Sequence, residues 1–333
     1  AGRDRGGPTA AGSSARSCRC SEKTQKVAAC GIVAANLALL TRFALHCPEA
    51  AATRRGEVVA MGSSDGFFRT RYGPWALVAG ASLGMGAEYS RQLAARGLNV
   101  FLVADAPDPL EELARALAGE HGVATRSLVV DLAAIDALEP IDEATRDLEV
   151  GLLVYNAAYS IVGRFADVAL ADKLRMLDVN CRGPLLLTHH FGLRMATRAR
   201  GGVILMSSLA AFQGQAMVGT YAATKAFDLV LAESLWDELR PHGVDVLAFC
   251  PGATRTPAYL ASNPRAGGPL SAPVMEPRDA VAAALAALGN GPTSIPGRTN
   301  RLAALLLHRM LSRRALVRVM SRVTRAMYEP AAP

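Results

Sequence analysis

Short hydrophobic runs alternate with longer amphipathic segments along the chain from residue 75 onwards. The hydrophobic runs lie at residues 75–79, 100–104, 127–130, 152–154, 203–206 and 244–249. The clearest segments with helical spacing of hydrophobic positions are 88–96, 109–121, 170–195, 216–240 and 278–288. Hydrophobic strands that lack polar alternation and are separated by helices are typical of a parallel sheet covered on both faces. The pattern therefore predicts an α/β fold with a doubly wound parallel sheet in a single domain.

One of the predicted helices has a specific start signal. Asp108 has a side chain that can cap a helix, Pro109 suits the first turn, and Glu111 completes a capping box. We therefore expect the helix over 109–121 to begin directly after Asp108.

The N-terminal part of the chain differs from this regular middle. Residues 1–60 show little sustained periodicity and are rich in Ala, Arg, Ser and Gly, so we predict a disordered extension there. Its hydrophobic run at 27–40 is shorter than the roughly 20 residues that cross a bilayer. The body of the fold is then predicted to occupy residues 61–296.

Residues 297–333 form a basic C-terminal segment. Eight arginines and no acidic residue fall between Arg298 and Arg325, and leucines and valines recur among them. The helical spacing of these hydrophobic residues predicts one basic amphipathic helix. Four roles stay open for it: docking on its own domain, shaping the mouth of a binding site, contact with an anionic membrane surface, and packing in a homo-oligomer.

Composition narrows the class of protein. Hydrophobic residues make up 51% of the chain and charged residues 20%, as in a soluble globular protein with a large core. The net charge of +7 is concentrated at the two ends, and no aromatic platform accompanies it, which argues against nucleic-acid binding. Four of the six cysteines lie within residues 18–47 without a paired CxxC spacing. We therefore expect no metal site and a reducing, cytoplasmic location.

A glycine-rich turn separates the first predicted strand from the helix that follows it. Gly80, Ser82, Gly84 and Gly86 come directly after the hydrophobic run at 75–79. A dinucleotide pyrophosphate needs close approach to a helix N-terminus, where free N–H groups and the helix dipole meet its negative charge. Glycines remove the side chains that would block this approach. The turn therefore predicts a Rossmann-type dinucleotide site.

A tyrosine and a lysine one helical turn apart are the candidates for the chemistry. Tyr221 and Lys225 lie within the helical pattern at 216–240, so they share one face of a helix. Carbonyl reduction needs an acid that gives a proton to oxygen as hydride reaches carbon. A free tyrosine, with a pKa of about 10, is a poor base near neutrality. An ammonium one turn away stabilises the phenolate form and suits the pair to this proton transfer.

These motifs together resemble the short-chain dehydrogenase/reductase family. The usual opening of that family, TGxxxGxG, matches this chain from Gly80 to Gly86, with Ala79 in the place of the threonine. The alanine is expected to remove a hydrogen bond but to leave the turn intact. The resemblance covers about 180 residues, from roughly residue 75 to residue 256.

The resemblance implies roles for four residues of a catalytic site. Ser208, thirteen residues before Tyr221, is the hydroxyl that holds the substrate oxygen, and its neighbour Ser207 is the weaker candidate. Asn180 matches the family's asparagine that supports a proton relay through water to Lys225. A simple distortion of the helix is the alternative explanation for Asn180.

Further matches complete the predicted cofactor cleft. Asn156 and Ala157 stand within a Tyr-Asn-Ala-Ala segment where the family has NNAG, so its first and last positions depart from the family. The resemblance also assigns Pro251 and Gly252 to the family's PG motif and Thr256 to the threonine that helps to hold the nicotinamide end. Tyr221 and Lys225 contribute to the same cleft.

Two acidic residues bear on the choice of cofactor. Asp105 follows the second predicted strand, where a carboxylate can bond the adenosine ribose and repel a 2′-phosphate. Counted from Gly97, however, it stands where NADP-preferring members of the family carry arginine, and the NAD-selecting position is Ala104. Neither position is basic, so NAD is favoured over NADP. Asp131 matches the family's adenine-contacting acid.

The sequence thus predicts an NAD- or NADP-dependent oxidoreductase that transfers hydride between the cofactor and a secondary alcohol or ketone. Hydrophobic residues within 259–277, which in the family form a substrate lid, favour a hydrophobic small-molecule substrate. A non-catalytic protein that senses cofactor, or one that acts at a membrane surface, is the alternative.

Overall fold

The computed structural model describes residues 61–265 and 273–329. The strands are β1 (Trp75–Ala79), β2 (Asn99–Ala104), β3 (Thr125–Val129), β4 (Val150–Tyr155), β5 (Gly201–Met206), β6 (Val244–Phe249) and β7 (Thr293–Ser294). The α-helices are α1 (Met61–Tyr72), α2 (Gly84–Ala95), α3 (Pro107–His121), α4 (Leu138–Thr145), α5 (Leu170–Leu177), α6 (Gly183–Thr197), α7 (Gly219–Leu239), α8 (Pro257–Ala261), α9 (Pro277–Ala287), α10 (Arg298–Met310) and α11 (Arg313–Tyr328).

The strands form one parallel sheet of seven, in the order β3-β2-β1-β4-β5-β6-β7. The chain starts in the middle at β1, builds one half outward to β3, and then crosses over to β4 for the other half. This reversal of direction is the hallmark of a doubly wound sheet and opens a crevice at the carboxyl ends of β1 and β4. The predicted fold is confirmed.

Successive residues of the central strands enter two separate cores. Ala76 and Val78 of β1 pack into one hydrophobic cluster, whereas Leu77 and Ala79 pack into the other. Side chains alternate between the faces of a strand, so continuous hydrophobic sequence is what a strand buried on both faces requires.

Two predicted helices differ in their bounds. Helix α3 begins at Pro107 rather than Pro109, and its first turn lacks a side-chain cap bond because Ala106, not Asp108, is the residue before it. The expected capping box is therefore wrong, since Pro107 already fits the first helical position.

The segment predicted as one helix over 170–195 consists of α5, a π-helical stretch at Asp178–Arg182, and α6.

The basic C-terminal segment forms two helices rather than the single predicted helix. Leu311 and Ser312 are extended, and the Ser312 hydroxyl accepts a hydrogen bond from the N–H of Ala315 at the start of α11. Both helices dock on the body of the protein. The His308 ring lies 3.2 Å from the Gln213 side chain, and Arg313 donates to the Phe212 carbonyl at 2.9 Å.

The predicted extension over 1–60, with its four cysteines, and residues 266–272 of the predicted lid lie outside the described residues. Within 61–265 and 273–329, no helix is long and hydrophobic enough to cross a membrane.

Candidate active site

The glycine turn lies at the carboxyl end of β1 and is tied to its neighbours by backbone bonds. Gly80 adopts φ +79° and donates its N–H to the Val103 carbonyl at 2.7 Å. A Cβ on Gly86 would lie 1.8 Å from the Gly80 carbonyl oxygen, so only glycine lets α2 pack this closely on the turn. Asn156 donates from Nδ2 to that same oxygen at 2.9 Å, which joins the end of β4 to the turn.

Thr256 of the predicted cleft lies beside the start of α2. A Cβ on Gly84 would lie 3.1 Å from Cγ2 of Thr256, which places these two residues side by side. Leu83 precedes α2 and provides no side-chain cap, so the first N–H groups of the helix receive no bond from it. A glycine turn and an uncapped helix N-terminus at the sheet crevice fit the pyrophosphate of a dinucleotide.

The two acidic residues predicted at the adenosine end behave differently. Asp105 is exposed. Asp131 is engaged by Arg175, whose Nη1 and Nη2 lie 2.9 and 3.0 Å from its two carboxylate oxygens. This pairing lowers the pKa of Asp131. Arg175 is a further residue of this end that the motif comparison does not identify, and its guanidinium lies 5.4 Å from the centre of the Tyr159 ring.

Helix α7 carries the predicted tyrosine and lysine. The Lys225 ammonium lies 5.9 Å from the centre of the Tyr221 ring. It donates to the Met206 carbonyl at the end of β5 at 2.7 Å and to Asp228 Oδ2 at 3.0 Å. Asp228 is a second residue that the sequence analysis missed. An acid three residues after the lysine is the signal that was available for it.

Burial and the charge of the partner have opposite effects on the pKa values of Lys225 and Asp228. Burial opposes the charged form of Lys225, but the Asp228 carboxylate and then Tyr221 outweigh it, so the pKa of Lys225 is raised. Burial likewise raises the pKa of Asp228 to about 6, against the opposing influence of Lys225. The Lys225 ammonium is thus kept charged by a carboxylate that is itself poorly solvated.

The two neighbouring serines after β5 have different environments. Ser207 is buried and donates its hydroxyl to the Lys225 carbonyl at 2.7 Å, so that hydroxyl proton is committed to the protein. Ser208 is only partly buried, and its hydroxyl accepts from the Ala210 N–H at 3.1 Å. Among the described residues the Ser208 hydroxyl only accepts a hydrogen bond. Its own proton is therefore available to a substrate oxygen, which is the role predicted for Ser208. The N–H of Leu209 donates to the Pro251 carbonyl at 3.0 Å, which fixes the PG segment beside this loop.

Asn180 is buried at the centre of the π-helical stretch. Its Oδ1 accepts from the Tyr159 N–H at 2.8 Å. Its Nδ2 donates to the Tyr159 carbonyl at 2.9 Å and to the Thr224 hydroxyl at 3.0 Å. Asn180 therefore joins the loop after β4 to α7, next to Lys225. The distortion of the helix that was the alternative explanation for Asn180 is therefore present, and the same residue also makes the bridging contacts.

The departure from the family at Tyr155 has a structural role. Tyr155 is buried and donates its hydroxyl to the Val179 carbonyl at 2.6 Å. A Cβ on Gly183 would lie 2.1 Å from this hydroxyl oxygen, so the glycine makes room for the larger ring. A π-helical stretch frees backbone carbonyls, and here the tyrosine satisfies one of them.

Comparison with known proteins identifies the family of this chain. Residues 74–266 match the family model of the short chain dehydrogenases. A 7beta-hydroxysteroid dehydrogenase from Clostridium sardiniense is 35% identical over 234 residues, which cover 70% of this chain and 89% of that protein. A structure solved to explain 7beta-hydroxysteroid dehydrogenase stereoselectivity superposes with a TM-score of 0.70 at 29% identity, covering 76% of this chain and 98% of the other. A short-chain dehydrogenase from Sphingobium yanoikuyae in complex with NADPH gives 0.62 at 33% identity, covering 71% and 93%.

The chain belongs to the short-chain dehydrogenase family. It is an NAD(P)-dependent oxidoreductase that acts on a secondary alcohol or ketone, as the sequence predicts. The comparisons support an enzyme and not the alternative of a non-catalytic protein.

Proposed function

We propose that Tyr221, Lys225, Ser208 and Asn180 carry out reversible hydride transfer chemistry in this protein. The observation that carries the proposal is the buried Lys225 ammonium one helical turn from Tyr221. When bound, the nicotinamide cofactor supplies or accepts the hydride. The chain's own residues bind the substrate oxygen and move the accompanying proton.

Each residue then has a distinct task. The Tyr221 hydroxyl gives its proton to the substrate oxygen during ketone reduction and takes it back during alcohol oxidation. The Lys225 charge favours the phenolate that remains, and Lys225 also contributes to holding the nicotinamide ribose. Ser208 donates to the substrate oxygen and fixes its position beside Tyr221. Asn180 supports the return of a proton towards Lys225 by holding the Tyr159 loop against α7.

NAD is the proposed preferred cofactor. Gly80, Ser82, Gly84 and Gly86 would hold its pyrophosphate, and Asn156, Ala157, Pro251, Gly252 and Thr256 would border the nicotinamide end. Asp105 is exposed where it can reach the ribose hydroxyls, and a carboxylate there repels a 2′-phosphate. Asp131 and its partner Arg175 would contact the adenine end. Fluorescence titration of the full chain with NADH and with NADPH tests the proposal: tighter NADH binding supports it, and a preference for NADPH overturns the role of Asp105.

The proposed substrate is a hydrophobic secondary alcohol or ketone of steroid or long-chain size. A cavity of about 580 Å³ lies beside the loop that leads into Tyr221, and Ile161, Met176 and Val218 are among its walls. Ligand pockets of drug-sized molecules occupy about 300–1,000 Å³ and are mostly lined by hydrophobic groups. The hydroxysteroid relative is consistent with such a substrate.

We also propose that the protein is cytoplasmic and that its helix α10 contacts an anionic membrane surface. Leu302, Leu305, Leu306 and Met310 are exposed at spacings that place them on one face of α10. The helix carries three arginines and no acidic residue, so it complements anionic lipid rather than a neutral surface. Leu305→Asp should abolish co-sedimentation with phosphatidylserine vesicles. Unchanged co-sedimentation of this variant overturns the proposal. If Leu305→Asp instead converts a homo-oligomer to a monomer while vesicle binding stays the same, helix α10 packs between subunits, and the proposal is likewise overturned.

A further inference from the structure

Helix α11 is bonded to the loop that runs into Tyr221. The Ser321 hydroxyl accepts from the Ala216 N–H at 3.0 Å, and the Thr324 hydroxyl lies 3.3 Å from Oε1 of the Gln215 side chain. The other side of α11 reaches the segment after α8, where the Arg265 N–H donates to the Met327 carbonyl at 3.0 Å. The basic C-terminal segment is therefore one wall of the region in front of the catalytic tyrosine.

The same helix contributes to the lining of the cavity of about 580 Å³ described above. Arg325 of α11 and Glu329, the residue that follows this helix, line it together with Arg164 from the loop after β4. The lining continues along the loop to Thr220, one residue before Tyr221. A ligand that fills this cavity contacts both the arginines and the neighbour of the catalytic tyrosine.

A carboxylate of the protein already lies between the two arginines. Arg164 donates from Nε and Nη2 to Oε1 of Glu329 at 3.3 and 3.2 Å. Nε of Arg325 lies 4.0 Å from that same oxygen. A third cation of the lining, Lys173, is committed elsewhere because its ammonium donates to the Phe165 and Val168 carbonyls at 2.6 Å each.

The position of Glu329 is electrostatically unfavourable without these arginines. It directly follows the last residue of α11, and its N–H donates to the Arg325 carbonyl at 2.7 Å. The C-terminal end of a helix carries partial negative charge, so an acidic side chain there is destabilised unless cations are close. A ligand carboxylate that replaced Glu329 would keep both arginines paired and release the acid to solvent.

We propose that Arg164 and Arg325 bind a carboxylate group on the substrate in exchange for Glu329. This inference rests on the proposed function, since it gives the class of substrate for that site: a hydrophobic ketone or secondary alcohol that carries a carboxylate. Hydrophobic walls hold the body of the substrate, and guanidinium groups recognise a carboxylate through paired N–H donors. The carboxylate end lies at α11, and the body extends along the loop towards Tyr221.

Calorimetric titration of the full chain tests this inference. The probes are two matched pairs: a ketosteroid with a side-chain carboxylate and its methyl ester, and a long-chain oxo fatty acid and its methyl ester. Oxidised cofactor is kept in excess so that neither ketone is reduced. We expect the acid of at least one pair to bind more tightly than its ester, by about fivefold for a solvent-accessible charged contact.

Single variants identify the residues responsible. Arg325→Gln and Arg164→Gln should each remove most of the preference for the acid while leaving the affinity for the ester unchanged. Glu329→Gln should strengthen binding of the acid alone. Arg322→Gln is the matched control, because Arg322 is exposed on the same helix and does not line the cavity.

The outcomes separate this inference from the proposed function. Equal affinity for acid and ester in both pairs, or no binding of any probe, overturns the inference. The inference is also overturned if Arg322→Gln loses the preference for the acid, because a general effect of positive charge then explains that preference. The reduction rate of the same ketones with reduced cofactor is measured separately. A preference for the acid without turnover contradicts the proposed function and leaves the carboxylate site standing.

Discussion

The Lys225 ammonium lies 3.0 Å from a carboxylate oxygen of Asp228, and both side chains are only 2% exposed. The second Asp228 oxygen, Oδ1, is buried without a hydrogen-bond partner among the described residues. Burial, and after it the Asp228 charge, also raises the pKa values of the Tyr155 hydroxyl and the Cys181 thiol. The carboxylate thus holds the Lys225 ammonium in place at the cost of its own solvation. Under the proposed function, Asp228 is a positioning residue that acts through Lys225.

Replacing Asp228 by asparagine should move the alkaline limb of the pH profile of kcat. The carboxylate raises the pKa of Lys225, so the charged form persists to high pH in the wild type and is lost as pH rises through the raised value. Without the carboxylate, burial dominates and favours neutral lysine. We expect the limb to move to lower pH by at least about one pH unit, as measured in steady-state kinetics of alcohol oxidation.

Glu238→Gln is the matched control for this prediction, because Glu238 is an exposed acid on the same helix. A profile that keeps its shape in Asp228→Asn, with only a uniformly lower rate, would show that Asp228 is merely structural.

Gly86→Ala should abolish cofactor binding. The added methyl group would lie 1.8 Å from the Gly80 carbonyl oxygen and 2.7 Å from Asn156 Nδ2, so the turn and α2 must separate. Gly119→Ala in α3 has nothing within 4 Å of the new Cβ. That control should instead stabilise the protein by about 0.5–1 kcal/mol through its helix propensity. Cofactor titration and chemical denaturation of both variants check the pair of expectations, and normal NADH affinity in Gly86→Ala would refute the assignment of the turn.

Asp105→Asn should weaken the discrimination between the two nicotinamide cofactors. Removing the charge removes repulsion of a 2′-phosphate while leaving a group that can bond a ribose hydroxyl. We expect the ratio of the NADPH and NADH dissociation constants to fall by about tenfold, equivalent to about 1.4 kcal/mol. Asp108→Asn, at another exposed acid three residues away, should leave the ratio unchanged. An unaltered ratio in Asp105→Asn would mean that Asp105 is simply a solvated loop residue.

The sheet could be predicted from the sequence because each strand buried on both faces is a hydrophobic run bounded by turn residues. β7 was missed because it contains only two residues, Thr293 and Ser294, and two residues show no periodicity. The start of α3 was misplaced because Pro107 and Pro109 both suit a first turn. The break between α10 and α11 was hidden because hydrophobic spacing continues across Ser312, and only the backbone shows its capping bond.

The turn and the Tyr221–Lys225 pair were predictable because their chemistry depends on local spacing. Asp228 was not, since an acid on a helix is normally solvated and its burial depends on how α7 packs against the end of β5 and the π-helical stretch. Arg175 was missed for a similar reason: Asp131 and Arg175 are 44 residues apart and are joined only by the fold. The carboxylate contacts of Glu329 likewise join residues 165 positions apart.

The role of Tyr221 is tested most directly by the rate of ketone reduction, measured for the full chain and for Tyr221→Phe on a panel of hydrophobic ketones. The loss of absorbance of the reduced nicotinamide reports the rate. We expect measurable turnover by the wild type and a fall in kcat of about 10²- to 10⁴-fold in the variant, the usual contribution of a positioned acid. Cofactor affinity should be nearly unchanged, because the phenyl ring remains and Lys225 keeps its bonds to Met206 and Asp228. Undiminished turnover by a folded Tyr221→Phe protein would contradict the central claim.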